Sequence, residues 1–189
     1  GNGSSITAVD GGRSVDASMG MGTTQGVLMG TRCGDVDASV FLYLMEKEQD
    51  VQRVSDILHK ESGLLGVSGI SSDLRDVETA ADKGNERARL AVDILCTSIK
   101  KYIAAYAAEM GGLDAIVFTA GIDENSDAIR KASTEGLEFM GIKIDDAKND
   151  GMRGKEAIIS ADDSRVKILV VPTNEELMIA RDTQRLSAG

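Results

Sequence analysis

The run Ala115-Ile116-Val117-Phe118-Thr119, closed by Ala120-Gly121 and followed by a helical segment, constrains this chain more than any other feature. A near-continuous apolar stretch of that length marks a strand buried on both faces, and such strands belong to parallel sheets covered by helices. A second run of the same kind, at 166–171, is stopped by Pro172 and feeds a helix expected from 174 to about 185. Strand, loop, helix, twice over, argues an α/β layer fold with ligands at the carboxyl ends of its strands. No repeat, low-complexity tract or linker splits the chain, so one domain is expected over 1–189.

Elsewhere the punctuation is clear. Residues 4–9 and 13–15 are strand-like on either side of Asp10-Gly11-Gly12, a hairpin signal. The stretch 19–34 carries glycines at 20, 22, 26, 30 and 34, too broken for a regular element and too long for an ordinary turn; such loops usually carry function. Periodicity predicts helices over 37–46 and 51–60, with Val40 and Leu44 facing a core in the first and Val51, Val54 and Leu58 in the second. Residues 64–70 are again glycine-punctuated, Asp73 opens a helix to about Ala81, and a long helix over 85–110 ends at Gly111-Gly112. Ser126 is placed to N-cap a helix running to Glu135, and weaker strands are expected at 142–144 and 157–160.

Composition removes several classes of function. Apolar residues make up 42% of the chain, enough for a real core. A net charge of −10, 3% aromatic residues and no Trp leave neither a basic track nor stacking platforms, which argues against nucleic acid as a partner. Cys33 and Cys96 have no Cys-x-x-Cys spacing and His59 is the one histidine, so a zinc site and a disulfide framework are both disfavoured. His59, among Ile57, Leu58 and Lys60, reads as a surface or packing residue rather than as the base of a nucleophile. With no run of eighteen apolar residues and no basic-then-apolar opening, neither a membrane span nor a signal peptide is expected, and a reducing cytoplasmic setting fits. The opening Gly1-Asn2-Gly3, with no initiator Met, reads as a start inside a folded unit.

Four constellations carry possible chemistry. Thr119-Ala120-Gly121-Ile122-Asp123-Glu124-Asn125 joins a strand to a helix N-terminus, where free amides and the helix dipole favour a phosphate, although glycine turns of this kind are common and neither the Walker pattern nor a dinucleotide fingerprint is present. In Thr173-Asn174-Glu175-Glu176, Thr173 and Glu176 have capping-box spacing; Glu175 is then either a helix-dipole residue or a carboxylate that reaches magnesium. Arg32, in Met29-Gly30-Thr31-Arg32-Cys33-Gly34-Asp35, is either a solvated surface residue or a planar fork for phosphoryl oxygens. Ser71-Ser72-Asp73-Leu74-Arg75-Asp76 reads first as a helix cap and second as a polar ligand contact.

Taken together and in order, these segments resemble the C-terminal half of the acetokinase family, which includes acetate, propionate and butyrate kinases. The resemblance runs from Gly1-Asn2-Gly3 through Ser14-Val15-Asp16, Ser18-Met19-Gly20, 29–35, Lys60-Glu61-Ser62-Gly63-Leu64-Leu65-Gly66 and 71–76 to 116–125 and 172–182. It implies an actin-like ATPase (ribonuclease H-like) fold, a β-sheet flanked by helices, and transfer of the ATP γ-phosphoryl group to acetate, or alternatively propionate. By the same resemblance Gly1, Asn2 and Gly3 would contact nucleotide phosphates. Asp73, Leu74 and Arg75, with Gly121, Ile122, Asp123, Glu124 and Asn125, would frame adenosine and phosphates, Glu175 would serve Mg2+, and Arg32 would stabilise the transition state. The family's remaining catalytic residues belong to an N-terminal half that is not in this chain, so the chain alone is expected to be inactive. The resemblance also implies a homodimer.

Three departures from the family pattern stand out. Cys33 replaces a common serine, Thr23-Thr24-Gln25 stands where a proline-containing stretch is usual, and Asp123 replaces a glycine, adding negative charge where the nucleotide is expected. A competing reading of another class is a non-catalytic nucleotide-binding or assembly module.

Overall fold

The computed structural model describes residues 2–187, apart from the side chains of Ile122 and Asp123. Although no linker is visible in the sequence, contacts divide the chain into two compact units, Gly1–Leu113 and Asp114–Gly189.

The first unit opens with an antiparallel hairpin, β1 (Thr7–Asp10) and β2 (Arg13–Ala17), turned at Asp10-Gly11-Gly12 as the sequence predicts. The glycine-rich stretch that follows forms no helix or strand up to α1 (Ala38–Glu48), and α2 (Val51–Lys60) comes next. Asp37 and Asp50 cap these two helices by accepting from the backbone N–H of Ser39 and Gln52. The packing of α1 differs from expectation: none of its residues is buried, and Val40, Phe41, Leu42 and Tyr43 are all exposed. Periodicity identifies an apolar stripe but not whether this chain supplies its cover. In α2, Val54 is fully buried while Val51 lies in solvent.

A short helix, α3 (Gly63–Ser68), occupies the stretch expected to be irregular, followed by α4 (Leu74–Asp82) and the long α5 (Glu86–Glu109). The fifth helix packs on α3 and α4 and buries Ala91, Leu95, Ile99, Ile103 and Tyr106 at helical spacing, making it the spine of the unit's core. Leu64, Leu74 and Val77 complete that core.

The second unit is built on a three-stranded sheet in the order β3 (Ala115–Phe118), β5 (Lys167–Val170), β4 (Ala157–Ile158). The pair β3–β5 is parallel, with Phe118 opposite Val170, whereas β4 runs antiparallel to β5. The expectation that both apolar strands are buried on both faces does not hold: in β3 Ile116 and Phe118 are buried but Val117 is 52% exposed, and in β5 Ile168 and Val170 are buried while Lys167 is exposed and Leu169 half-buried. The alternation shows that one face of β3 is covered within this unit and the other is not.

Between the strands lie α6 (Gly121–Asn125), α7 (Asp127–Thr134), a 3-10 turn at Glu138–Met140 and α8 (Asp146–Asn149); α9 (Glu175–Ser187) follows β5. Ser126 caps α7 as predicted, accepting from Ile129 N–H. The weaker strands near 142 and 158 appear as single bridges, Ile142 to Val166 and Ile144 to Ser160, besides the two-residue β4. Among the described residues one charged side chain is buried in the core. Arg130 is fully buried and donates to Asn149 Oδ1 and the Met152 carbonyl, each at 2.8 Å. Among the described residues, no helix is long and apolar enough to cross a membrane.

Candidate functional site

In the first unit the structure gathers four segments that are far apart in sequence around Arg32. The C-terminal turn of α2 leaves carbonyls without intrahelical partners, as every helix does. Here the Arg32 loop and its neighbour Ser62 fill that need. Cys33 N–H donates to the Leu58 carbonyl at 3.0 Å, the Thr31 hydroxyl to the His59 carbonyl at 3.0 Å, and the Ser62 hydroxyl to the Ile57 carbonyl at 2.6 Å. The other side of the loop is held by the amides of α3: Leu64 N–H donates to Met29 O at 2.8 Å and Leu65 N–H to Gly30 O at 3.0 Å.

Two glycines make a close approach possible. A methyl group at Gly3 would come within 3.0 Å of Arg32 Nη1, so the guanidinium lies directly against the Gly3 backbone. One at Gly30 would meet Asn2 Oδ1 at 2.8 Å and the Ser72 carbonyl at 2.9 Å, and Gly30 N–H donates to Asn2 O at 3.0 Å. Asn2, Gly3, Gly30, Arg32 and the segment leading into Asp73 thus come together, whereas Gly1 lies outside the described residues. Arg32 itself is half-buried and donates from Nη1 to the Thr23 carbonyl at 3.1 Å, with Met29 Sδ 3.7 Å from the same nitrogen. Burial pushes the neighbouring Cys33 thiol above its ordinary value, which disfavours a nucleophilic thiolate there.

Asp73 performs the capping role that its sequence suggests, its Oδ1 accepting from Arg75 N–H at 2.9 Å. The Arg75 guanidinium, 2.5 Å away, and that same N–H hold the Asp73 carboxyl down at about 2. Leu74, the first residue of the helix, is buried; Arg75 is exposed.

In the second unit the ends of the parallel strands bring the other two constellations together. Val171 N–H donates to the Phe118 carbonyl, the Thr119 and Thr173 hydroxyls lie 2.8 Å apart, and Thr173 N–H donates to Glu124 Oε2 at 3.2 Å. Asn125 Nδ2 donates to the Gly121 carbonyl at 2.7 Å, closing α6 on itself. The turn into α6 is strained, since Ala120 sits at φ 56° and Gly121 at φ 35°. A non-glycine residue there costs about 1 kcal/mol or more. The side chains of Ile122 and Asp123 are outside the described residues.

One reading of this region changes. The capping box does not form: Asn174, not Thr173, caps α9, its Oδ1 accepting from Leu177 N–H at 3.0 Å, because the Thr173 hydroxyl is turned to Thr119. Glu175 is the exposed first residue of α9.

A separate cavity of about 430 Å3 in the first unit opens between the loop carrying Cys33 and Asp35 and the face of α5 carrying Leu90, Ile94 and Tyr102; none of the residues expected in the site lines it.

Comparison with known proteins gives a family. Residues 1–181 match the acetokinase family. The chain belongs to that family. It is 59% identical over 187 residues to acetate kinase from Alkaliphilus metalliredigens, covering 98% of this chain and 47% of that protein. The crystal structure of Porphyromonas gingivalis acetate kinase superposes with a TM-score of 0.94 at 51% identity, covering 97% of this chain and 46% of the other. A propionate kinase from Francisella tularensis superposes with a TM-score of 0.87 at 43% identity, covering 95% and 46%. This acetokinase chain therefore spans about half the length of the relatives it matches, and its fold is the actin-like ATPase fold expected from the sequence.

In the sequence His59 reads as a surface or packing residue and Thr24 only as part of a departure from the family pattern. Their 2.7 Å contact joins residues 35 positions apart, and no local pattern announces it.

Proposed function

We propose that this chain is the nucleotide-binding half of an acetate kinase, which transfers the γ-phosphoryl group of ATP to acetate and gives acetyl phosphate and ADP, reversibly. The observation that carries the reading is the setting of Arg32, a half-buried guanidinium laid against Gly3 and held by backbone and sulfur rather than by a carboxylate among its described contacts. Phosphoryl transfer asks mainly for positioning and for positive charge beside the negatively charged equatorial oxygens, and a planar guanidinium fork supplies both. Arg32 is the catalytic residue in this assignment. Asn2 and Gly3, preceded by Gly1, contact phosphates. Asp73, Leu74 and Arg75, together with Gly121, Ile122, Asp123, Glu124 and Asn125, frame the nucleotide.

Magnesium is commonly held by one or two carboxylates and substrate phosphates. Exposed Glu175, just beyond β5, suits that mode, and among the described residues no group of three or more His, Cys, Asp or Glu offers an all-protein cage. When bound, the ion would neutralise charge on phosphate oxygens. The N-terminal half of the same enzyme supplies the rest of the acyl-acceptor site, and propionate is the alternative acceptor. A homodimer fits the apolar residues that α1 leaves exposed, and a reducing cytoplasmic setting fits two free cysteines.

The test is acetate-dependent formation of ADP by the full-length protein that carries this chain, against the Arg32→Ala variant and against the chain alone. The full-length protein should turn over, and both comparisons should not. Activity of the isolated chain well above that of its own Arg32→Ala variant would overturn the assignment of the remaining catalytic groups to the N-terminal half.

A further inference from the structure

We infer that His59 is a positioning residue for Arg32, an inference that rests on the phosphoryl-transfer reading above. The geometry brackets Arg32 from both sides. His59 Nδ1 lies 2.8 Å from the Ser55 carbonyl, which can only accept, so Nδ1 carries the proton. In the neutral ring Nε2 is then an acceptor, and the Thr24 hydroxyl 2.7 Å away donates to it. Thr24 follows Thr23, whose carbonyl receives Arg32 Nη1 at 3.1 Å. On the other side, the His59 carbonyl accepts from the hydroxyl of Thr31, the residue immediately before Arg32.

One residue on a regular helix thus fixes, through its ring, the strand of loop that holds the guanidinium and, through its carbonyl, the backbone from which the arginine projects. Residues 19–36 form neither helix nor strand, and the His59 ring is what ties the Thr24 end of that stretch to α2. A mobile Thr23 carbonyl would leave the guanidinium free to sample geometries away from the developing charge. Such a loss appears in the chemical step rather than in ground-state binding.

The experiment uses the full-length enzyme and measures kcat and the KM values for ATP and acetate. His59→Ala should lower kcat roughly five- to tenfold, the effect of one or two lost hydrogen bonds, with both KM values within about twofold of wild type. Thr24→Val should reproduce that loss, and the double variant should be no worse than either single one. His59→Gln, whose amide reaches the position of Nε2, should restore most of kcat; His59→Asn, which reaches only Nδ1, should not. Arg32→Ala measured alongside separates the two readings. If Arg32→Ala abolishes turnover while His59→Ala keeps wild-type kcat, the positioning role is wrong and the catalytic reading of Arg32 stands. If Arg32→Ala itself is fully active, both fall. Equal losses in His59→Ala and His59→Gln, accompanied by a lower Tm, would reduce His59 to a structural residue and overturn the inference.

Discussion

The hydroxyl oxygens of Thr119 and Thr173 lie 2.8 Å apart across 54 residues of sequence, and through them the loops that leave the two parallel strands are tied together. Each hydroxyl is exposed, so water replaces the lost partner when one is removed and the cost is small, about 1 kcal/mol. Thr119→Val and Thr173→Val should each lower unfolding stability by about that amount, and the double variant should lose less than the two together, with a coupling of about 0.5–1 kcal/mol. Denaturant unfolding of the three variants measures it, and strict additivity would show that the contact contributes nothing.

On the proposed phosphoryl-transfer reading, Arg32 and Glu175 should separate kinetically in the full-length protein. Arg32→Ala should cut kcat by about a hundredfold or more while the apparent affinity for ATP changes little, since charge on the transferring group peaks in the transition state. Glu175→Ala should instead raise the magnesium concentration needed for half-maximal rate. Initial rates over a grid of ATP and magnesium concentrations decide the matter, and similar modest effects from both changes would return Glu175 to a helix-dipole role.

The cap of α4 should be acid-sensitive. Asp73 is held at about 2 in the folded chain against an ordinary 3.8, so its contribution is fully present above the higher value and is lost as pH falls through the lower one. Between those values wild-type stability should decline in part through this group, and Asp73→Asn should flatten that part of the profile. Thermal unfolding followed from pH 5 to pH 2 tests the difference, and parallel curves for the two proteins would refute it.

From a fully buried position Arg130 donates to Asn149 Oδ1 and to the Met152 carbonyl. Arg130→Ala removes the donors and leaves Asn149 Oδ1 and the Met152 carbonyl short of a partner, which should cost about 3 kcal/mol. A shift in the urea midpoint at constant slope is the expected signature, and a loss under 1 kcal/mol would contradict it.

Local signals in the sequence were read correctly where the physics is local. Caps at Asp73 and Ser126, the hairpin at Asp10-Gly11-Gly12 and the long α5 all follow from a side chain acting within a few residues of itself. What escaped depends on partners far along the chain. The short α3 looked too rich in glycine to be a helix, but its first amides are taken up by Met29 O and Gly30 O, which no window around Gly63 contains. Thr173 has the spacing of a cap, yet its hydroxyl goes to Thr119 and leaves Asn174 to do the capping. Val40 and Val117 show the other limit, since an apolar pattern states that a face prefers cover without stating what provides it. Within the candidate site, Arg32 was legible as part of a glycine-rich motif and Asn2-Gly3 only through the family resemblance, whereas the hydrogen bonds that link Arg32 to His59 through Thr23 and Thr24 were not legible at all.

The parallel register of the second unit bears on how the protein is made. Ala115 pairs with Lys167, so during synthesis β3 leaves the ribosome some fifty residues before the strand that completes it. Until then Ile116, Val117 and Phe118 form an apolar β-prone segment with an open edge, the kind of sequence that recruits copies of itself. A nascent or truncated chain that stops short of β5 would therefore carry that edge unprotected, and holding it apart from other chains becomes a task for chaperones rather than for the fold.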